Sequence, residues 1–527
     1  MAVLFYPSTG VAVLLLIPSL SILTVYILLL PPHSRSRFLG RKYVLPPEPK
    51  GSLLLGSLRP WLRARRNGGL VPWLQQQARY GEMTTLSMGT KTWVLLNNER
   101  VLNEIIAKRA SITHERPFFP IASGLVSRGH RLFLQKTEQW REGRRLLHQL
   151  MMGEGSKTHS SLVDEASVGL LKAYLDEPEA WYVHNYSYPL SVIHRIVTGT
   201  ALRRSRGEME DLQKVTSTFL TSINSSPVDF FPQISALVPK NFQFWRAHWE
   251  AMGDFHYGIF KHWWSGFKQA DLPESSFVRK TMLGEYDGGD DQRMYITLFI
   301  LTAGSDNPRM TMNAFLMACI AWPEPIQRMR AELDRICGPD AQRLPGLADL
   351  MNAPYSSAVV KEVLRWRPTV PLIPQRVLVE DMEFEGYKLP RGTEFLVNTI
   401  SVCHHGFDDA ASFKPERWLD VKDDEQNRTH THTTTSPPAA VQQDLWQFAF
   451  NAGRRSCVGY KLAQKEMFLA FSRLVYCFEF FPAGKFDDRE LNAFAPGEPF
   501  PVRATVRSAA HERLIRHEAA QMLQHLA

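Results

Sequence analysis

The chain has 527 residues, 44% of them hydrophobic and 22% charged, a balance that excludes a wholly disordered polypeptide. Its formal net charge is +8, but the lysines and arginines are scattered rather than interleaved with aromatics, so a nucleic-acid groove is excluded as well. The 5 cysteines show no C-x-x-C spacing, and their odd number fits a reducing compartment better than a disulfide framework.

Residues 11–30, VAVLLLIPSLSILTVYILLL, carry no charge. About 20 apolar residues suffice to cross roughly 30 Å of hydrocarbon as a helix. No Lys or Arg precedes the run and Pro31-Pro32 follows it, which departs from a cleaved secretory signal. The segment 1–30 is therefore expected to be a single-pass transmembrane anchor. Arg35, Arg37, Arg41 and Lys42 follow it, so the positive-inside rule puts everything downstream on the cytoplasmic side. Residues 31–51 form a basic, proline-rich hinge ending in Leu45-Pro46-Pro47-Glu48-Pro49-Lys50-Gly51, a stiff spacer.

The body, 52–527, reads as one domain. Alternation predicts two short strands over 83–96 around a turn at Gly89-Thr90. Helical periodicity follows over 99–110, 135–152, 161–174 and 212–222, then in a long apolar helix over 294–322 and another over 324–336. A helix over 356–366 stops where Arg367 meets Pro368. Residues 382–397 are expected to form a small hairpin turning at Pro390-Arg391-Gly392, and 461–478 a last long helix. The predicted fold class is mainly α with small β-sheets. Residues 423–443 hold a Thr- and His-rich tract and read as a low-complexity surface insertion, because His430 and His432 have no partner at a metal-ligand spacing.

Among the cysteines, Cys457 has a distinctive setting: Phe450-Asn451-Ala452-Gly453-Arg454-Arg455-Ser456-Cys457-Val458-Gly459 fits F-x-x-G-x-R-x-C-x-G at every fixed position. A thiolate that ligates a metal must be kept ionised, which calls for backbone N–H donors and a helix N-terminus. The helix starting near Gly459 supplies the second, and Gly453 has the freedom to wrap N–H groups around sulfur. Taken singly, these residues are a core thiol, two turn glycines and a surface arginine; five fixed positions together are not a chance match. The loop resembles the haem-ligand loop of the cytochrome P-450 superfamily. That resemblance implies Cys457 as the axial ligand to the haem iron, Phe450 shielding the thiolate, and Arg455 reaching a haem propionate.

Other motifs extend the resemblance from about residue 46 to 507. Glu362-Val363-Leu364-Arg365 matches the family's E-x-x-R, with Glu362 and Arg365 on one helical face and Arg417 completing a structural lock. Trp140 and Arg144 match W-x-x-x-R, and Arg376, next to Gln375, stands where the family often binds a propionate. Ala303-Gly304-Ser305-Asp306-Asn307-Pro308 departs from the usual A/G-G-x-D/E-T-T. Ala303 and Gly304 would line the haem and Asp306 is the catalytic acid, but Asn307 replaces the threonine that helps deliver protons to bound dioxygen. Asn307 can hold a water in its place. Pro308 leaves the Gly304 carbonyl without its helical partner and is expected to open the helix there.

The fold so implied is a triangular helical haem domain with a β-rich lobe near its N-terminus. The implied cofactors are haem (iron protoporphyrin IX), O2, and NADPH acting indirectly through a membrane-bound cytochrome P-450 reductase. Arg454, Lys461 and Lys465 are candidates for its docking face. A small lipophilic substrate would meet residues 118–133, 219–231, 299–303 and 370–373. The arrangement resembles microsomal, particularly fungal, members, which points to the endoplasmic reticulum and to secondary metabolism. One alternative stays open, a haem-thiolate enzyme that couples, rearranges or dehydrates without net oxygen insertion; against another, a haem protein without turnover, the intact Asp306, Glu362 and Arg365 argue.

Overall fold

The computed structural model describes residues 43–52, 55–153, 158–419, 449–488 and 498–526. The expected anchor over 1–30, most of the hinge and the insertion 423–443 lie outside the described residues. Among the described residues, no helix is long and apolar enough to cross a membrane.

Helices dominate. Two short ones, α1 (Leu58–Arg66) and α2 (Leu70–Ala78), precede the first sheet; later come α3 (Thr137–Met152), α4 (His159–Asp176), α5 (Trp181–Thr198) and α6 (Arg206–Ser222). They are followed by α7 (Arg246–Gln269), α8 (Asp290–Ala321), α9 (Pro323–Cys337), α10 (Pro354–Trp366), α11 (Tyr460–Cys477) and α12 (Ala509–Leu526). Helix α6 begins where a capping box allows it, with Ser205 accepting from the Glu208 N–H and Glu208 reaching back to the Ser205 N–H.

The core is built around α8, a 32-residue helix packed along α5 and against α11. Gly304 explains the close approach of α5, since a Cβ there would come 2.8 Å from Ile193 Cγ1. On another side of α8, Phe315 stacks on Phe471 of α11 with ring centroids 3.8 Å apart. The helix remains α-helical through Pro308. Pro308 thus withholds an N–H from the Gly304 carbonyl without ending the helix, and the burial of α8 along most of its length offsets a cost of about 3 kcal/mol.

The four-stranded sheet has the order β1 (Met83–Met88), β2 (Lys91–Leu96), β6 (Glu394–Asn398), β3 (Leu372–Val377), and forms the lobe expected near the N-terminus. The hairpin expected over 382–397 is corrected. Its turn lies at Glu385-Gly386, between β4 (Met382–Phe384) and β5 (Tyr387–Leu389), whereas β6 leaves it to pair in parallel with β2. Glu385 (φ 49°) and Gly386 (φ 83°) are both left-handed, as a two-residue hairpin turn demands. A last pair, β7 (Phe478–Pro482) and β8 (Val502–Val506), continues directly from α11.

Candidate active site

The loop before α11 is shaped by two left-handed residues, Asn451 and Gly453, both at φ 68°. A Cβ on Gly453 would lie 2.4 Å from the Ile106 carbonyl oxygen, so only glycine fits. The Ala452 N–H donates to Asn451 Oδ1 at 2.7 Å, a local bond that suits asparagine to this conformation. Cys457 N–H then donates to Phe450 O at 2.9 Å and closes the loop, with α11 starting three residues on at Tyr460. Cys457 is exposed on one side, while Cys319, Cys337, Cys403 and Cys477 are buried. The protein around it pushes its thiol up, and the Gly459 N–H and the Arg144 guanidinium pull the other way.

Four arginines gather beside this loop. Arg144 of α3 donates to Ser456 O at 2.7 Å and lies 5.7 Å from the Trp140 ring. Arg455 stacks 4.4 Å over the same ring and donates to His114 O at 2.9 Å and Gln135 O at 3.0 Å, while its Nη1 is buried without a partner. Arg376 is only 2% exposed, yet neither Nη1 nor Nη2 has a hydrogen-bond partner. Burial, with Arg455 and Arg144 close by, lowers it to about 9. Arg116 donates to Gln375 O at 2.6 Å.

Strand β3 aims Arg376. Its register shifts between Ile373 and Arg376, where Pro374 has no N–H to give, and neighbouring residues then face opposite ways. Gln375 consequently turns away into a reciprocal amide pair with Asn224, at 3.0 and 3.2 Å. The carboxylate in this cluster, Glu115, accepts the backbone N–H groups of Arg116 and Thr137 at Oε1, and it bonds none of the three unpartnered arginine nitrogens. A buried donor without an acceptor costs about 1–3 kcal/mol, so three such nitrogens within one cationic cluster call for an anion. Haem fits these residues, because its two propionates supply the acceptors and its iron takes a thiolate.

On α8, Ala303 is half-buried and Asn307 exposed, one turn apart on one face, and Asn307 Nδ2 donates to Ala303 O at 3.1 Å. The neighbouring positions differ from expectation. Gly304 is directed at α5 rather than at the face of Ala303. Asp306, 2% exposed, is held in the core by Arg309, with Oδ1 2.9 Å from Nε and 2.8 Å from Nη2.

The expected lock is present. Glu362 and Arg365 are both 0% exposed and bonded twice at 2.8 Å, and Arg417 Nε lies 3.5 Å from Glu362. Two more donors complete the carboxylate, Lys414 N at 2.8 Å and Trp418 Nε1 at 3.0 Å. Arg417 is itself steered by Asp409 at 2.6 Å.

The family model for cytochrome P450 matches residues 46–495. The chain belongs to the cytochrome P450 family. A cytochrome P450 monooxygenase of Arthrobotrys oligospora is 26% identical over 94% of this chain and 95% of its own. One from Aspergillus ruber is 27% identical, with 91% and 90% covered. A zebrafish cytochrome P450 solved with abiraterone superimposes with a TM-score of 0.63 at 21% identity, covering 83% of this chain and 99% of that one, and shares the fold. The chain is thus a cytochrome P450 monooxygenase, of a family that binds haem iron and uses O2 with electrons supplied by a redox partner.

In this P450 the residues missed from sequence are Arg116, Trp418 and Asp409, none of which carries a spacing signal. Of the expected docking cations, Arg454 and Lys461 are exposed, whereas Lys465 is half-buried and donates to Ser160 Oγ at 2.9 Å. Arg141 and Arg145, exposed on α3 beside Arg144, add charge on the same helix. Two expected substrate regions do meet, since Phe119, Ile121 and Val126 share an apolar cluster with Phe219 and Ile223.

Proposed function

We propose that this cytochrome P450 inserts one oxygen atom from O2 into a small lipophilic substrate in secondary metabolism, with electrons from NADPH through a membrane-bound P450 reductase. The observation that supports this best is the exposed Cys457 beside the unpartnered nitrogens of Arg376 and Arg455. In this reading Cys457 Sγ would ligate the haem iron, while Arg376, Arg455 and Arg144, braced by Trp140, would hold the propionates. Phe450 and Gly453 shape the loop, and the Gly459 N–H favours the thiolate. Bound haem supplies the activation of dioxygen. Ala303 keeps the α8 face low, so that a substrate can approach. Asn307 has one Nδ2 hydrogen committed to Ala303 O; its second hydrogen and Oδ1 are left to hold a water and pass a proton. Asp306 can take part in that relay only if its pair with Arg309 opens.

A second reading, oxidative coupling, rearrangement or dehydration without net oxygen insertion, draws support from the carboxamide of Asn307 in place of a hydroxyl. Turnover under heavy-isotope dioxygen separates the two. One labelled oxygen in the product supports insertion; a product without label, formed with O2 consumption, supports coupling.

We further infer that residues 11–30 anchor the chain in the endoplasmic reticulum membrane, with residues 31–51 as hinge and 52–527 as the cytoplasmic haem domain. The uncharged run and the basic residues after it support this. Alkaline extraction of membranes tests it, since the full chain should stay in the pellet and a chain lacking 1–30 should be released.

A further inference from the structure

Arg131 is a buried cation without a counter-ion. It is 3% exposed, its Nε is buried with no hydrogen-bond partner, and its side chain forms no hydrogen bond or ion pair with any described residue. Two aromatic faces hold it instead, with the guanidinium 3.9 Å from the Phe219 ring of α6 and 5.1 Å from the Phe260 ring of α7. Burial lowers it to about 10, which leaves it protonated at neutral pH, and no carboxylate is near enough to raise it. Cation–π contacts return about 0.5–2 kcal/mol each, whereas desolvating a lone charge costs several. The shortfall identifies Arg131 as a site that needs an anion.

Its surroundings agree. The Tyr295 hydroxyl and His256 Nδ1 are buried without partners, and both side chains lie within electrostatic reach of Arg131. His256 Nε2 is already engaged by Thr218 Oγ1 at 2.7 Å, so Nδ1 is its remaining polar atom. Tyr295 is fixed by His130 stacked 5.3 Å away and by the edge of Phe260 at 5.4 Å.

The same residues point along α8 toward the reaction face. Tyr295, Phe299, Ala303 and Asn307 follow at four-residue steps and form one stripe, which places Tyr295 about 12 Å from Ala303 along the axis at ~1.5 Å per residue. Phe299 is half-buried between them, and the apolar cluster of Phe119, Val126, Phe219 and Ile223 stands beside Arg131 through Phe219. An anionic group at one end and an apolar body along the stripe describe a lipophilic acid.

We propose that Arg131 is a substrate-recognition residue that pairs with the carboxylate of an otherwise lipophilic substrate, and so presents the far end of that substrate to Ala303 and Asn307. This rests on the reading of the α8 face as the reaction face. The Tyr295 hydroxyl donates to the same carboxylate. Loss of Arg131 thus raises KM for acids and leaves the neutral analogues unaffected.

The test uses full-length, haem-loaded enzyme and calorimetric titration at neutral pH with octanoate, decanoate and dodecanoate, each against its matching alcohol. The expected result is an acid bound at least about tenfold more tightly than its alcohol at one or more lengths, a difference of ~1.4 kcal/mol. Arg131→Gln and Arg131→Met should abolish that preference, and Arg131→Lys should keep part of it. Equal binding of acid and alcohol by the wild type at every length overturns the proposal, as does a preference that survives in Arg131→Gln. If one neutral variant does not fold, as judged by its melting curve, the other and the wild-type comparison decide. A reduced, CO-bound spectrum of the same samples reports Cys457 ligation separately, so failure of the haem-thiolate reading is distinguishable from failure of the Arg131 assignment.

Discussion

The Asp306 carboxylate lies 2.8 Å from Arg309 Nη2 in a pair whose two side chains are each 2% exposed, on the helix that carries Ala303 and Asn307. The pair sits one residue from Asn307 yet is turned into the core, so it holds the helix together before it can serve any proton path. Removing one partner leaves a buried charge alone, at a cost of about 3–5 kcal/mol. Arg309→Met should therefore lower the melting temperature strongly. Asp306→Leu combined with Arg309→Met should restore most of it, because the double variant buries neither charge.

In Arg309→Met the remaining carboxyl is governed by burial, which raises its pKa in the folded state. A raised acid favours the folded protein below its unfolded pKa and loses that advantage as pH rises. Melting curves across acid to neutral pH should show the variant weakening toward neutrality more steeply than the wild type.

Glu362 accepts from Arg365, Lys414 N and Trp418 Nε1 at once, all within 3.0 Å. Glu362→Ala strips the counter-charge from the fully buried Arg365 and orphans two further donors. The expected loss is about 3–5 kcal/mol, read by denaturant unfolding and by a fall in haem recovered per chain.

The Glu362–Arg365 pair and the cysteine loop are legible in the sequence for one physical reason, local spacing along a helix or a tight loop, whereas Arg417 enters the lock through the family resemblance. The long-range contacts were hidden. Arg116 and Arg131 lie in irregular chain before α3, where no periodicity marks them, and only the fold shows the first bonded to Gln375 O and the second wedged between Phe219 and Phe260. Helix α5, with Pro189 inside it, is buried on several sides and so lacks a clean amphipathic stripe, whereas α7 buries one face whose Gly253 and His256 blur its apolar signal. The turn of the β4–β5 hairpin was placed at Pro390-Arg391-Gly392 since proline and glycine are the stronger punctuation, whereas Glu385-Gly386 supplies the two left-handed residues.

Asp229 offers a cleaner pH signal. It is 0% exposed, accepts long bonds of 3.3 Å from the Ile121 and Ser226 N–H groups, and is pushed by burial from 3.8 to about 6 against the pull of Lys91 and these N–H groups. Its folded pKa being the higher, its stabilising contribution is complete below about pH 4 and is lost as pH rises through about 6. The amount is on the order of 3 kcal/mol. Asp229→Asn should flatten the fall in melting temperature over that window; an unchanged slope would remove Asp229 as its cause.

Arg376 should separate cofactor retention from folding. Its two unpartnered nitrogens make it a burden to the apoprotein, so Arg376→Met is expected to leave apoprotein melting unchanged or slightly raised. Haem retention should fall about tenfold or more, as measured by transfer to an acceptor protein, because charge-assisted bonds to a carboxylate are worth ~1.5–3 kcal/mol.

The central claim is that Cys457 supplies the thiolate that would ligate the haem iron. Cys319, Cys337, Cys403 and Cys477 are all buried, whereas Cys457 is exposed beside the arginine cluster, so its sulfur alone among the five is open to a ligand. The direct measurement is the reduced, CO-bound spectrum of the wild type and of Cys457→His. The wild type should give the red-shifted thiolate band, and the variant should lose it in favour of an imidazole-type band or bind no haem. A thiolate band that persists in Cys457→His would contradict the assignment.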